Sequence, residues 1–574
     1  MGIIKIRDLD REIEYSKGQS LLEALRSHGI KLESPCGGKG TCGKCKLFNV
    51  TKGKEVLACK TFPEENIEIE LKKEAHDHRI LTTGATRRFE FNPPVEKKKF
   101  NIRETDIGEQ ATVIDRIKEA LDINEVPIEL LKYISRKTNE YTGVFYDEEL
   151  IGIERGDTSE YIYGLAVDIG TTTIVMSLVD LLTGRVLESV SDINGQKDFG
   201  FDVLTRITYL IENENGIEEL QDVLVCQLNG MIDELLDKTK INRKLIYDVV
   251  ISANSTMMHT LLGLDSSFIG ISPYAPIFTE SFTIEARNIG IRLDNARLYG
   301  IPAVSSFIGA DIVSGIYVSS MAESDGNILF IDIGTNGEIV LLANGEFLSC
   351  SCAAGPALEG MNISIGMRAA EGAIENIRIG EEKVLTEVIG GREGKGICGS
   401  GILSAMNELV RTGIVERGGA FVKVADIEEG DFRLNHIGLD GKKRNFIVQK
   451  EPRLLLTQSD IRQIQLAKGA ILSGFYALLN KAHLSMGELD KIIIAGQFGS
   501  HLSTESLVGS GILPLEVEDK IEYVGNSSLS GAMIALLSKK TRDEMKALRK
   551  KVNYLELSAT DDYERLFARC LRFD

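Results

Sequence analysis

Apolar and polar residues alternate at the start of the chain. Ile4 and Ile6, then Ile13 and Tyr15, keep the period of two that predicts a strand hairpin. The period then becomes helical: Leu21, Leu22, Ala24 and Leu25 form a stripe behind the capping box Ser20-Leu21-Leu22-Glu23. Strand spacing returns over Lys46–Val50 and Val56–Cys59, and Ile67, Ile69 and Leu71 alternate through a closing strand. From about Glu74 to Phe100 the pattern dissolves. Pro93-Pro94 and Lys97-Lys98-Lys99 predict a flexible linker over 76–100, after a first domain of residues 1–75. Helical spacing at Ala111–Leu121 and Ile128–Ile134, with a hairpin at Val144–Ile153 around Asp147-Glu148-Glu149, predicts a small middle α/β domain over 101–160. That domain carries no assignable chemistry.

The remainder, 161–574, contains a repeat. Leu165–Thr173, reading Leu-Ala-Val-Asp-Ile-Gly-Thr-Thr-Thr, predicts a strand and turn leading into a second strand, Ile174–Val179, and a third, Arg185–Val190, after Thr183-Gly184. Ile328–Gly337 repeats the Asp-Ile-Gly-Thr string, and Glu338–Leu342, an Asn344-Gly345 turn and Glu346–Ser349 repeat the strands. Two copies of one hairpin pattern predict a duplicated fold.

Composition sets limits on this picture. At 574 residues the chain exceeds the roughly 250–300 at which one core stops growing, so two to four domains are expected, and a 43% hydrophobic fraction is ample to fill them. Nine cysteines without a secretory segment at Met1–Asp8 imply reduced thiols and a cytoplasmic location. No apolar run reaches membrane-spanning length. A net charge of −19 argues against nucleic acid as a partner; it keeps a protein soluble, and suits basic patches on protein partners.

Chemistry concentrates first in four cysteines, Cys36, Cys42, Cys45 and Cys59. The loop Ser34–Cys45 is dense in glycine, which lets backbone N–H groups turn inward on the sulfurs of a [2Fe–2S] cluster. Zinc is the competing metal, but a zinc ribbon shows two C-x2-C knuckles and this chain has one. With its strands, one helix and a metal loop, residues 1–75 resemble the β-grasp of plant- and adrenodoxin-type ferredoxins.

The two Asp-Ile-Gly-Thr turns carry the second chemistry. An apolar strand ending in Asp and turning through Gly-Thr can face a polyphosphate: glycine gives backbone freedom, the amides form an anion nest, and threonine hydroxyls donate. On this reading Gly170, Thr171, Thr172, Thr173, Gly334, Thr335, Asn336 and Gly337 bind phosphates, and Asp168 and Asp332 hold Mg2+ through water. One such turn reads equally well as an ordinary loop; two facing each other form a clamp. Lys491–Gly499 is an apolar strand breaking into glycines, where adenine can lie against Gly496, Gln497 and Gly499, and Gly525–Ala532 opens a helix with small residues. Asp311 and Glu338 are candidates to orient the attacking water, with surface or capping roles as alternatives.

These motifs resemble the phosphate, adenosine and connecting segments of the actin, sugar-kinase and Hsp70-like ATPases, so a duplicated α/β actin-like (ribonuclease H-like) ATPase domain is implied. No G-x-x-x-x-G-K-[ST] motif is present. A ferredoxin joined to such an ATPase resembles, over essentially the whole chain, the reductive activators of corrinoid proteins, including Ser349–Gly360 and Gly396–Ile402. The resemblance implies ATP-driven reduction of a Co(II) corrinoid to Co(I) on the corrinoid protein of a methyltransferase system in anaerobic one-carbon metabolism, fed by an upstream low-potential electron donor. A homodimer is one assembly left open. The absence of a cysteine cluster after Cys570 places the chain with the [2Fe–2S] branch. ATP has a clear use there. Co(I) is a stronger reductant than a plant-type cluster near roughly −400 mV, and a gap of ~150 mV amounts to about 3.5 kcal/mol.

Two other readings stay open at this level: an electron carrier or redox sensor that uses nucleotide as a switch, and a ferredoxin-fused metabolite kinase. Cys350, Cys352 and Cys398 read as buried small hydrophobes, with Ser351 or a neighbour as a loose candidate for the corrinoid interface. Cys226 and Cys570 read as packing residues, and His76 and His78 as solvated.

Overall fold

The computed structural model describes residues 2–9, 11–28, 30, 32, 38, 40, 45–71, 87–104, 110–391, 393–440, 443–496 and 503–573. The first strands are β1 (Gly2–Ile6), β2 (Arg11–Tyr15), β3 (Lys46–Asn49), β4 (Lys54–Leu57) and β5 (Ile67–Glu70), in one sheet of order β2-β1-β5-β3-β4. The helix Leu21–Ser27 begins with the expected capping box and buries Leu21, Leu22, Ala24 and Leu25 against that sheet. Cys59 sits on a single 3-10 turn, Ala58–Lys60, after β4.

The linker expectation needs correction. Residues 72–86 lie outside the described residues, but Val95–Asn101 is a strand, β6, paired along its length with β7 (Glu140–Tyr146), which pairs in turn with β8 (Glu149–Arg155). Lys97, part of the expected linker, has a buried side chain. Its Nζ donates to Glu154 Oε2 at 2.7 Å, Tyr161 O at 2.9 Å and Thr158 O at 3.2 Å. Three acceptors inside the fold replace the water that a Lys run normally seeks. Ile128–Ile134 is also corrected: it is a 3-10 segment, Ile128–Tyr133, entered from Pro127.

The duplicated pattern produces two sheets that share the order of five strands, with the sixth added at opposite ends. The first contains β9 (Tyr163–Ile169), β10 (Thr173–Asp180), β11 (Val186–Ile193), β12 (Ile246–Ala253), β13 (Phe282–Glu285) and β14 (Arg297–Gly300), ordered β11-β10-β9-β12-β14-β13. The second begins with β15 (Ile328–Ile333), β16 (Gly337–Ala343) and β17 (Glu346–Cys352). Asn344 and Gly345 both have positive φ in the β16–β17 turn, as a tight two-residue hairpin requires. Two three-stranded sheets interrupt it: β18 (Ala373–Ile379), β19 (Val384–Val388) and β20 (Gly396–Ile397), then β21 (Ile437–Asp440), β22 (Lys443–Gln449) and β23 (Leu454–Thr457). The second sheet resumes with β24 (Lys491–Ala495), β25 (Ile521–Gly525) and β26 (Val552–Tyr554), in the order β25-β24-β15-β16-β17-β26. In both halves the hairpin strand nearest the centre lies parallel to the next one, β9 with β12 and β15 with β24.

The unbroken apolar run of β15 follows from burial on two faces. Ile328 and Phe330 join the core shared with the first sheet, while Leu329, Ile331 and Ile333 face the core under the helix Gln458–Ala482. The helix Ser527–Leu537 follows β25 yet packs on β9 and β12, so it ties the second half to the first. Among the described residues no helix is long and apolar enough to cross a membrane.

Candidate active site

Strands β9 and β15 each end in Asp-Ile and turn back through Gly-Thr, so the two sheets point their hairpin turns at one cavity of about 200 Å3. Gly170 N donates to Thr173 O at 2.9 Å and Gly334 N to Asn336 O at 3.0 Å, closing the turns. Neither glycine has positive φ, so the backbone freedom expected of them is not used for a left-handed turn. Gly170 is needed for space, because a Cβ there would lie 2.7 Å from Thr173 O; at Gly334 the nearest atom would be an ordinary 3.6 Å away.

The turns meet. Thr172 Oγ1 is 3.3 Å from Thr335 Oγ1, and both hydroxyls donate to one carboxylate, Glu359, at 2.8 Å each. The first turn is held from behind by Asn194 Nδ2 on Gly170 O (2.9 Å), Asn254 Nδ2 on Thr171 Oγ1 (3.0 Å) and Arg206 on Thr171 O. Arg206 is wholly buried, which pulls its guanidinium down to about 9 yet leaves it charged at neutral pH. A positive charge thus sits behind a turn shaped for anions.

Asp168, Asp311, Asp332, Glu338 and Glu359 all line the cavity. Asp168 accepts from Ser528 Oγ at 2.7 Å and Asn526 Nδ2 at 2.9 Å, both at the start of Ser527–Leu537. Each oxygen keeps a second lone pair for a metal-bound water. Burial raises the Asp168 carboxyl, with those two hydrogen bonds opposing. Asp332 is pushed up to about 8 by burial and then by Asp311, Asp168 and Glu359. Burial, and then neighbouring carboxylates, raise Asp311 and Glu338 as well. Burial favours the protonated forms of Asp168, Asp311, Asp332 and Glu338, their neighbouring carboxylates add to this at the last three, and a divalent cation relieves that repulsion. This donor set fits Mg2+ that retains water, since among the described residues no three such side chains converge closely enough to bind an ion directly.

Thr171, Thr172, Thr173, Thr335, Asn336 and Gly496 line the cavity together with Gly170 and Gly334. Gly337 does not: it opens β16, and a Cβ there would meet Ile471 at 3.1 Å. Gly496 closes in on the acids, with a φ of +100° and a Cβ position 2.7 Å from Asp332 Oδ1. Gln497 and Gly499 lie outside the described residues. Cys398 is buried but lines the cavity with Gly399 and Ser400, at the N-terminal end of the helix Gly399–Arg411. Cys350, Cys352 and Cys570 are buried, whereas Cys226 is exposed, against its reading as a packing residue.

For the second centre, Cys36 and Cys42 lie outside the described residues. The β3–β4 register sets Lys46 opposite Leu57, and Ala58 N donates to Cys45 O at 2.8 Å. That brings Cys45 Sγ and Cys59 Sγ to 3.2 Å, both buried and unbridged. Two converging buried sulfurs fit half of an iron–sulfur ligand set.

Residues 4–64 match the 2Fe-2S iron-sulfur cluster binding domain, 163–324 the RACo middle region, and 326–574 the C-terminal domain of RACo, the ASKHA domain. The corrinoid activation enzyme RamQ of Eubacterium limosum is 30% identical over 96% of each chain. The chain belongs to the reductive activators of corrinoid proteins. A solved reductive activator for corrinoid, iron-sulfur protein superposes with a TM-score of 0.75 at 31% identity, covering 100% of this chain and 98% of the other. The [Co(II) methylated amine-specific corrinoid protein] reductase of Methanosarcina barkeri is 23% identical over 71% of this chain and 76% of its own. The matches establish a [2Fe–2S] domain rather than a zinc ribbon, and an actin-like ATPase. In this activator Arg206 and Asn254 lie outside every motif the sequence marks, whereas Asn526 and Ser528 fall in the Gly525–Ala532 helix start and Glu359 in Ser349–Gly360, without an individual role being legible there. Glu359 lay in a string known only by resemblance, and Arg206 has no motif beyond the capping box Asp202-Val203-Leu204-Thr205 ahead of it.

Proposed function

We propose that this chain is an ATP-dependent reductive activator, passing an electron from its [2Fe–2S] cluster to the Co(II) corrinoid of a methyltransferase partner protein and restoring Co(I). The supporting observation is a buried cysteine pair and a two-turn acidic cleft in one chain, similar over 96% of its length to a corrinoid activation enzyme. The electron comes from a low-potential donor in a reducing, cytoplasmic setting. The cluster supplies a one-electron carrier and Mg2+–ATP the free energy for an uphill transfer. The residues divide the remaining work. Thr172 and Thr335 exchange Glu359 for phosphate oxygens, and Asp168 and Asp332 position Mg2+ through water. Asp311, its Oδ1 fixed by the Ile312 amide at 2.9 Å, keeps Oδ2 to take a proton from the attacking water. Burial favours its protonated form, and Mg2+ held through water by Asp168 and Asp332 would supply the positive charge that favours the ionised one.

Reduced protein mixed with a Co(II) corrinoid protein should give the Co(I) spectrum only with hydrolysable ATP and Mg2+. Equal Co(I) with and without ATP, at matched donor potential, leaves a simple electron carrier; a phosphorylated metabolite among the products makes the chain a kinase.

A further inference from the structure

The two helices that reach the cleft are joined again at their far ends. Ala310–Val318 begins with Asp311 at the cavity, and Ser527–Leu537 begins beside the Asn526 and Ser528 side chains that hold Asp168. They cross on small residues: a Cβ on Gly531 would lie 2.3 Å from Ser314 Cβ, and one on Gly315 would lie 3.0 Å from Ser527 Oγ. Gly315 also abuts Phe330 of the second sheet, so this crossing is where the halves meet.

At their C-terminal ends both helices hold the segment that precedes β6. Arg87 Nη1 donates to Tyr317 O at 2.9 Å, its guanidinium lies 4.1 Å from the centre of the Tyr317 ring, and it pairs with Glu323. Further along, Asn92 N donates to Leu537 O at 3.0 Å, Lys539 N donates to Asn92 O at 3.0 Å, and Ser538 Oγ donates to Asn92 Oδ1 at 3.0 Å. Residues 87–92 lie as a strap across the ends of two helices whose beginnings carry cleft residues.

We propose that this strap couples nucleotide state to the placement of the cluster domain, with Arg87 and Asn92 as the positioning residues; the proposal rests on the activator reading above. A helix of 11 residues is a stiff rod about 16 Å long, so a shift where Asn526 and Ser528 hold Asp168 reappears at Leu537. Phosphates that replace Glu359 between Thr172 and Thr335 act on both halves at once, and states with and without the terminal phosphate differ in that contact. A shift of one helix against the other at their crossing changes the separation of Tyr317 O and Leu537 O. The strap is fixed to one helix by the Arg87 guanidinium on Tyr317 O and to the other by the Asn92 backbone, and must follow. The strap stands in sequence between the cluster domain and β6, so each nucleotide state sets a different starting point for that domain's reach. The Lys540–Glu90 pair beside it is exposed and contributes little.

Cys226 is exposed and takes a nitroxide, so pulsed EPR on the reduced protein reads the distance from the cluster to that label. The wild-type distance distribution is expected to shift between Mg2+–ADP and Mg2+ with a non-hydrolysable ATP analogue. The double variant Arg87→Ala/Asn92→Pro, which removes the guanidinium at one end and both the amide donor and the side-chain acceptor of Asn92 at the other, should give one distribution in both states, and Arg87→Ala alone, freeing one end, should do the same. Co(I) formed per ATP hydrolysed on a Co(II) corrinoid protein should fall about tenfold or more in the double variant, the size of an ordinary intersite coupling. Partner-free ATP hydrolysis and the visible spectrum of the cluster should stay as in the wild type, and Lys540→Ala should behave as the wild type throughout. A wild-type protein that makes no Co(I) with ATP defeats the activator reading itself. Wild-type Co(I) formation with distances that do not move, or a double variant with wild-type Co(I) per ATP, overturns the strap alone.

Discussion

Asp332 ends an apolar strand with its carboxyl pushed up to about 8, so in the empty cleft it is mostly protonated at neutral pH. A buried acid with a raised pKa stabilises the fold fully below the ordinary carboxylate range and loses that contribution as pH rises through its folded value, here about 8. Nucleotide-free protein should therefore melt at lower temperature as pH climbs from 6 to 9, and Asp332→Asn should flatten that slope. Mg2+–nucleotide, which favours the ionised form, should bind with proton release at pH 7, to which Asp332 contributes up to about one proton, lost in Asp332→Asn, read by calorimetry in buffers of different ionisation enthalpy. No proton release would mean that Asp332 faces no cation. Glu359 is one of the charges that raise Asp332. Glu359→Gln should move the pH midpoint of Mg2+–nucleotide binding downwards, and an unmoved midpoint removes Glu359 from the cleft's electrostatics. In the other centre, Cys45→Ala or Cys59→Ala should bleach the [2Fe–2S] absorption while nucleotide affinity, measured by calorimetry, stays within about twofold, since the sites lie in separate cores.

Among the elements, strand ends decide the cleft. Gly496, where β24 breaks, has no room for a side chain beside Asp332 Oδ1 (2.7 Å) and Ile333 O (2.8 Å), and its φ of +100° disfavours any other residue. Gly334 shares a motif with Gly170 but has ordinary backbone and open space to 3.6 Å. Gly496→Ala should thus cost about 1–3 kcal/mol of stability and most of the ATPase activity, while Gly334→Ala should fold and melt like the parent. Thermal melts and phosphate release on the pair check this directly, and equal damage from both would return the glycines to a common turn role. The repeated hairpins, the capping box at Ser20 and the apolar stripe behind it were legible because each is set by local periodicity. β6 was not, because Val95–Asn101 reads as a charged, proline-preceded stretch whose strand exists only through its pairing with β7. Ile128–Tyr133 was misread for a related reason: the spacing of its apolar residues suits a helix, but Pro127 enters it in an extended conformation and only a tight 3-10 segment forms.

Across the whole molecule, one buried cation joins three parts of the chain. Arg542, in the helix Lys539–Arg549, donates to Asp248 on β12, to Tyr146 on β7 and, at 2.7 Å, to Ala535 O. Arg542→Leu leaves Asp248 buried and unpaired, a loss of about 3–5 kcal/mol. Heating that variant should lower the melting temperature of the nucleotide-binding part while the visible absorption of the cluster fades at its usual temperature; a joint shift of both would show the two parts unfolding together. No motif marks Arg542, Asp248 or Tyr146, because partners up to 396 residues apart leave no local pattern. The sequence by itself determined the chemistry that local spacing encodes: the cysteine set, the paired Asp-Ile-Gly-Thr turns and the duplicated hairpins around them. Only the tertiary structure decided which acids share the cleft, that Glu359 bridges Thr172 and Thr335, and that residues 87–92 close over the far ends of two helices. Each of these depends on segments brought together by packing both faces of a sheet, where burial rather than sequence neighbourhood sets charge, hydrogen bonding and reach.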